Sequence, residues 1–303
     1  MSPKSVWKIS LEDVPSGMAV HQFILENTDL AYQIKKMEHA RKSETHMSVP
    51  LSFDTSSLKK DVLEGIKKFG QYQFQYGFES SSSDDGIYLS TSLTYNPEAY
   101  DKISEDPHQA TLGSTTLKYN SASRYEQLSE HRLRNSYHDT FAFIERTPFA
   151  KFGAVGDFLN SFSRTIVRSR VSSIIANKIE TTKFGFNWHN DESIFINLRI
   201  NIPIQTNSNY AIQIMKSAPD ELLEIEEFSM EEGKAYVYNT EKYHRALCKK
   251  VEAFDRIHMI CGVSPWFDLD SKNKCWVSNE YYGEVHPFDM LAQGFISSFI
   301  KIR

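Results

Sequence analysis

The chain of 303 residues is 40% hydrophobic and 13% aromatic, enough to bury one large core or two modest ones. A net charge of −5 with no long basic run argues against a nucleic-acid footprint, and no apolar segment reaches the length of a membrane span. The start "MSPKSVWKISLEDVPSG" has no apolar secretory core, and Cys248, Cys261 and Cys275 show no CxxC spacing. Both fit a cytoplasmic, reducing compartment rather than a disulfide scaffold or a cysteine-based zinc site.

Residues 1–150 read as a mixed α/β region that packs on the rest. "TDLAYQIKKMEHARKSE" and "SSLKKDVLEGIKKFGQ" carry helical spacing, with Ser and Thr near their starts as caps. "ESSSSDDG" (79–86) has turn composition, "IYLSTSLTYN" reads as a strand, and residues 101–135 are polar without a clear period. "AVGDFLNSFSRTI" predicts a helix. From about residue 168 the pattern changes to short strand-like runs: "RSRVSSIIA", "FINLRINIPI", "NYAIQIMK", "LLEIEEFS", "KAYVYNT" and "RIHMICGVS". Strands this closely spaced, without helices between them, indicate a sandwich or barrel over 151–268. The segment 269–303 is an aromatic tail whose last stretch, "FDMLAQGFISSFIKIR", predicts an amphipathic helix.

Chemistry concentrates in "FNWHNDESIFINLRINIPI" (186–204). Residues i and i+2 of an extended chain share a side, so His189 and Asp191 can meet at one point. An imidazole and a carboxylate are two of the three groups in the facial triad of non-haem Fe(II) sites. The bland alternative is a turn in which Asp191 caps an amide and His189 is exposed. A third ligand is available at His244, which follows a Gly-led strand and a short turn in "GKAYVYNTEKYHRALCKK". By itself His244 reads more readily as a surface-loop histidine next to Lys242 and Arg245. His258 competes for the same role, but lies two residues beyond Arg256 on its strand.

In "FDRIHMICGVSPWF", Arg256, His258 and Ile260 share one face and Ile257, Met259 and Cys261 the other. A guanidinium inside an apolar strand is costly unless it meets an anion, which it grips with a planar fork. A structural ion pair with Asp255 or with a glutamate at the barrel edge is the alternative. In "NLRINIPI", Asn197, Arg199 and Asn201 share one face, opposite Ile196, Leu198, Ile200 and Ile202. Arg199 either meets a ligand carboxylate or pairs with a neighbouring strand. Arg170, Thr182, Trp188 and Tyr238 are candidates for pocket walls or substrate contacts, Glu192 for a solvated neighbour.

The ordered set "WHNDE", "NLRINIPI", "GKAYVYNTEKYH" and "RIHMICGVSPWF" resembles the Fe(II)/2-oxoglutarate-dependent oxygenases. Within them it is most similar to the aspartyl/asparaginyl β-hydroxylase group that includes the bacterial proline cis-hydroxylases, over residues 150–268. The resemblance implies a mainly β (α+β) fold with flanking helices around a double-stranded β-helix, the jelly-roll or cupin-like core. It implies Fe(II) held by His189, Asp191 and His244, with 2-oxoglutarate and O2 as co-substrates. Arg256 matches the group that binds the distal carboxylate of 2-oxoglutarate; Arg199 and Asn201 fall on an "LRxHxPL"-like strand, Asn201 replacing its usual histidine. The related halogenases have a small residue where Asp191 stands, so hydroxylation is the implied outcome. The implied substrate is a small carboxylate-bearing molecule, such as a free amino acid or derivative. Two alternatives stay open: a peptidyl aspartyl/asparaginyl hydroxylase acting on a protein, and a non-catalytic carboxylate-binding barrel.

Overall fold

From Ile166 to Ile174 every side chain is buried, although the run alternates apolar residues with Arg168, Arg170 and Ser172. A strand buried on both faces must lie between two layers, and here one layer is apolar and the other polar. In the computed structural model, which describes residues 6–15, 18–38, 41, 44–73, 88–96, 107–109, 140–176, 188–216, 224–250 and 254–292, this strand is central to the larger of two facing sheets.

The strands in chain order are β1 (Lys8–Ser10), β2 (His46–Val49), β3 (Tyr72–Gln73), β4 (Tyr88–Ser92), β5 (Thr94–Tyr95), β6 (Glu145–Arg146), β7 (Ile166–Ile174) and β8 (Leu198–Gln205). There follow β9 (Tyr210–Met215), β10 (Ile225–Phe228), β11 (Ala235–Tyr238), β12 (His244–Cys248), β13 (Arg256–Val263), β14 (Phe267–Asp270) and β15 (Cys275–Ser278). The larger sheet has the order β2-β11-β8-β13-β7-β4-β3, and the smaller facing sheet β10-β9-β12. After β8 the chain crosses to the smaller sheet for β9 and β10, returns for β11, crosses again for β12 and returns for β13. That antiparallel alternation between two sheets is the winding of a double-stranded β-helix.

The helices are α1 (Val20–Asn27), α2 (Leu30–Glu38), α3 (Thr55–Phe69), α4 (Gly153–Ser161) and α5 (Pro287–Leu291). Apolar spacing in α3 and α4 places Leu58, Val62, Val155 and Leu159 against Leu198, Ile200, Ile202, Met259 and Val263 on the outer face of the large sheet. Each such side chain contributes roughly 1.5–3 kcal/mol by leaving water. Asp54 caps α3 by accepting from the Ser57 amide at 3.0 Å, and Gly70, at φ 80°, ends it with an amide bond to the Ile66 carbonyl. The isoleucines of β8 thus pack outward, as the alternation predicts, and Arg199 and Asn201 turn towards the smaller sheet.

Some pairings were not read from the sequence. Strands β2, β3 and β4, from the first 150 residues, extend the core sheet, and β1 pairs with β15 in a small sheet that ties the start of the chain to its tail. The tail helix is described only for Pro287–Leu291; its remainder, "ESSSSDDG", Thr182 and most of 101–135 lie outside the described residues. All three cysteines are buried and none is in a disulfide. No helix among the described residues is long and apolar enough to cross a membrane.

Candidate metal centre

Backbone pairing brings the two histidines together. The His189 amide donates to the His244 carbonyl at 3.1 Å, and the His244 amide returns a bond to the His189 carbonyl at 2.8 Å. Two residues on, the Asp191 amide donates to the Thr240 carbonyl at 2.7 Å, while the Thr240 hydroxyl donates to the Glu192 carbonyl at 2.9 Å. The segment is therefore laced to the β11–β12 connection, and alternation turns His189 and Asp191 to one side. One ligand atom from each of His189, Asp191 and His244 lies within 4.8 Å of the others. His244 Nε2 is 3.5 Å from Asp191 Oδ2, and the two imidazole centroids are 4.4 Å apart.

The orientation of His244 is fixed from behind. Its Nδ1 lies 2.9 Å from the Lys242 carbonyl. A carbonyl can only accept, so Nδ1 donates to it and faces away from Asp191, which leaves Nε2 as the ring nitrogen directed at the carboxylate. Two imidazoles and one carboxylate converging from one side suit a first-row divalent metal and leave its other positions open. Among the described residues this is the group that could hold such an ion.

The carboxylate is ionised. Burial would push Asp191 up, but the Arg199 guanidinium, with His244 and His189, holds it well below the usual carboxylate range. Arg199 ion-pairs with Asp191 Oδ2 and reaches Glu192 at 3.5 Å. It thus meets two protein carboxylates from the segment that leads into its own strand, not from a neighbouring strand as the alternative had it. Glu192 is not a solvated neighbour. Its side chain is 21% exposed, and it pairs with Arg168 at 3.4 Å and accepts from Asn197 Nδ2 at 3.0 Å and from the Thr140 hydroxyl. Burial raises its pKa and Arg168, Arg199 and these hydrogen bonds more than offset that. Finding this role from sequence would require knowing that Arg168 on β7 and Thr140 face residue 192.

The other candidates divide by the face they occupy. Arg256 and His258 point to the barrel interior from β13, with Arg256 Nη2 3.0 Å from His258 Nδ1. Burial, then the adjacent Arg256, holds His258 well below its ordinary value, so it is neutral and Nδ1 accepts. Nε2 then carries a proton, and it is buried with no partner among the described residues. His258 is tied to Arg256 and lies outside the His189–Asp191–His244 group. Tyr238 sets its ring 5.1 Å from that of His244, and burial, then Asp191, pushes its phenol up to about 12. Asn201 is buried and donates to the Arg199 carbonyl at 3.2 Å. Arg170 is buried on the inner face of β7, its Nε 3.3 Å from the Ser172 hydroxyl. Trp188 is not brought to the triad: it stacks on Arg245, whose guanidinium is 4.7 Å from the ring. Arg245 alternates with His244 along β12, so that contact lies on the opposite side of the strand.

No family model matches the chain, and no curated protein matches it. Solved structures similar to it include the non-haem α-ketoglutarate-dependent epimerase SnoN from nogalamycin biosynthesis, at 10% identity over 77% of this chain and 82% of that one, with a TM-score of 0.40. An oxidoreductase of the 2OG-Fe(II) oxygenase family from Burkholderia pseudomallei is similar at 12% identity over 78% and 90%, with a TM-score of 0.36. A prolyl hydroxylase from Trichoplax adhaerens, in complex with a hypoxia inducible factor peptide fragment, is similar at 10% identity over 83% and 94%, with a TM-score of 0.37. At these identities and scores the likeness carries no activity over to this chain.

Proposed function

We propose that the chain is an Fe(II)- and 2-oxoglutarate-dependent oxygenase that hydroxylates an unactivated C–H bond of a small carboxylate-bearing molecule, an amino acid or a derivative of one. The observation that carries this reading is the convergence of His189, Asp191 and His244 donor atoms within 4.8 Å, on the barrel face that also presents buried arginines. The residues fit the metal: His244 has its free nitrogen directed by the Lys242 carbonyl, and Asp191 is ionised. When bound, iron with 2-oxoglutarate and O2 supplies the oxidation of the substrate, with succinate and CO2 as co-products.

The chain's own part is binding and orientation. His189, Asp191 and His244 hold the metal from one side. Arg256 takes the distal carboxylate of 2-oxoglutarate, with the unpartnered Nε2–H of His258 as a second donor on the same face. Asn201 and Tyr238 line the space between the two, and Arg199 keeps Asp191 charged. Arg170 contacts substrate. The buried walls of both sheets exclude water.

Incubation with Fe(II), 2-oxoglutarate and a set of free amino acids, followed by detection of succinate and product mass, tests the reading. Succinate formation that requires Fe(II) and O2, and that His244→Ala or His189→Ala abolishes, is the expected result. If 2-oxoglutarate is neither consumed nor bound in the presence of a divalent metal, the proposal fails.

A further inference from the structure

Among the described residues, the interior of the barrel holds more positive than negative charge. Arg168, Arg170, Arg199 and Arg256 are 8%, 8%, 5% and 9% exposed. All four face the smaller sheet. On β7 the intervening Val167 and Val171 belong to the outer core, whereas Ile174, on the Arg170 side, packs with Tyr210 and Cys248 of β9 and β12. On β8 and β13 the alternation with Leu198, Ile200, Ile257 and Met259 does the same for Arg199 and Arg256.

Only two carboxylates answer them among the described residues. Glu192 is shared by Arg168 at 3.4 Å and Arg199 at 3.5 Å, and Asp191 pairs with Arg199. Arg170 and Arg256 contact no carboxylate there. Arg170 Nη1 and Arg168 Nε are fully buried without a hydrogen-bond partner among the described residues. The groups lie within electrostatic reach of one another: Arg168 is affected by Arg170, Arg199, Asp191 and Glu192, and the Tyr238 phenol by Asp191, Arg199, Arg256 and Arg170.

Among the described residues, four guanidinium groups against two carboxylates leave an excess of two positive charges. A divalent metal adds two and 2-oxoglutarate removes two, so the fully loaded site keeps that excess. An unpaired buried cation costs several kcal/mol, and a guanidinium with idle N–H groups is matched by an oxyanion. We infer that the substrate is itself a dianion, a dicarboxylate or a phosphate monoester, with one acidic group gripped by Arg170 and Arg168. This rests on the oxygenase reading of the same site, keeping its reaction and replacing the zwitterionic amino acid by an acidic dianion as substrate. A neutral zwitterion would bring an ammonium group for which the described interior has no free carboxylate.

The test is binding to the folded chain loaded with Zn(II) and saturating 2-oxoglutarate, followed by calorimetry and thermal midpoint. The probes are L-malate, glycerol 3-phosphate, L-proline and butyrate. Either dianion should bind at least about tenfold more tightly than L-proline and butyrate, and its preference over the other shows which acid the site takes. Arg170→Gln should weaken that binding by about tenfold or more, a larger factor than any change for 2-oxoglutarate itself. The comparison of probes on the unaltered chain stands even if the variant misfolds. L-Proline or butyrate binding as tightly as both dianions, or dianions that bind only by displacing 2-oxoglutarate, would overturn the inference and leave the oxygenase reading standing. Failure of 2-oxoglutarate to bind with Zn(II) would overturn that reading first, and the inference with it.

Discussion

Arg256 Nη2 and His258 Nδ1 form a donor–acceptor pair 3.0 Å apart on the inner face of β13. Burial, then the guanidinium, keeps the imidazole neutral, and its remaining N–H is buried without a partner among the described residues. Arg256→Ala should raise the concentration of 2-oxoglutarate needed for half-maximal turnover by roughly a hundredfold, as expected for truncating a buried charged partner. His258→Phe should raise it less, by about tenfold, since one neutral hydrogen bond is lost. An unchanged requirement in Arg256→Ala would move the co-substrate role to Arg199.

Arg199 sits between Asp191 and Glu192. Arg199→Met keeps the volume of the side chain but strips both carboxylates of their shared cation. It should destabilise the fold by about 3 kcal/mol, the usual cost of breaking a buried ion pair from one side. Urea unfolding measures this, and a loss below about 1 kcal/mol would show the pairing to be incidental.

Much of this arrangement could be read from the alternation in β7, β8 and β13. The apolar partners of Arg199 and Arg256 fixed which side of each strand had to face the helices, and hence which side was left for ligands. The i, i+2 relation of His189 and Asp191 was equally local. The pairing of Glu192 was not, because its charge partners come from Arg168 on another strand and Thr140 from a loop. Nor could the sequence reveal the turning away of Trp188, since an aromatic beside a histidine is compatible with either face of a strand. The β1–β15 ladder joins Lys8 to Val277, and nothing in three residues of strand composition specifies a partner at that separation.

His286 provides a pH test at a residue outside the His189–Asp191–His244 group. It caps α5 by accepting from the Phe288 amide at 3.1 Å, which requires the neutral ring. Burial lowers its pKa to about 4, with Arg41 acting in the same direction and Asp289 against it. An unfolded histidine titrates near 6.5, so as pH falls from 6.5 the unfolded chain takes up a proton that the folded one refuses. Stability should therefore decline between pH 6.5 and about 4 and level off below, by about 2 kcal/mol after discounting for residual solvent. His286→Asn keeps a capping acceptor without the titration, and its stability curve should lose that part of the slope. Identical curves for the two chains would refute the assignment.

Gly262 lies at a register shift in β13, where a Cβ atom would come within 2.6 Å of Asn197 Oδ1 and 2.8 Å of the Arg168 carbonyl. One contact is backbone of the neighbouring strand, so the clash cannot be relieved by a rotamer change. Gly262→Ala should cost about 2 kcal/mol or more in thermal or chemical unfolding. It should also weaken Co(II) binding, because Asn197 and Arg168 both hold Glu192 beside the ligand segment. A variant as stable as the parent would mean that the β7–β13 spacing yields more easily than the packing implies.

The reciprocal amide bonds between His189 and His244 have one more implication. Because main-chain atoms already fasten the two imidazoles at ladder spacing, the entropy of bringing them together is lost during folding, not during loading. A metal-stripped sample should keep the circular dichroism of the loaded one and protect those two amides from exchange. Affinity for the ion would then follow from the character of the donor atoms, in contrast to small zinc modules that collapse only when metal arrives.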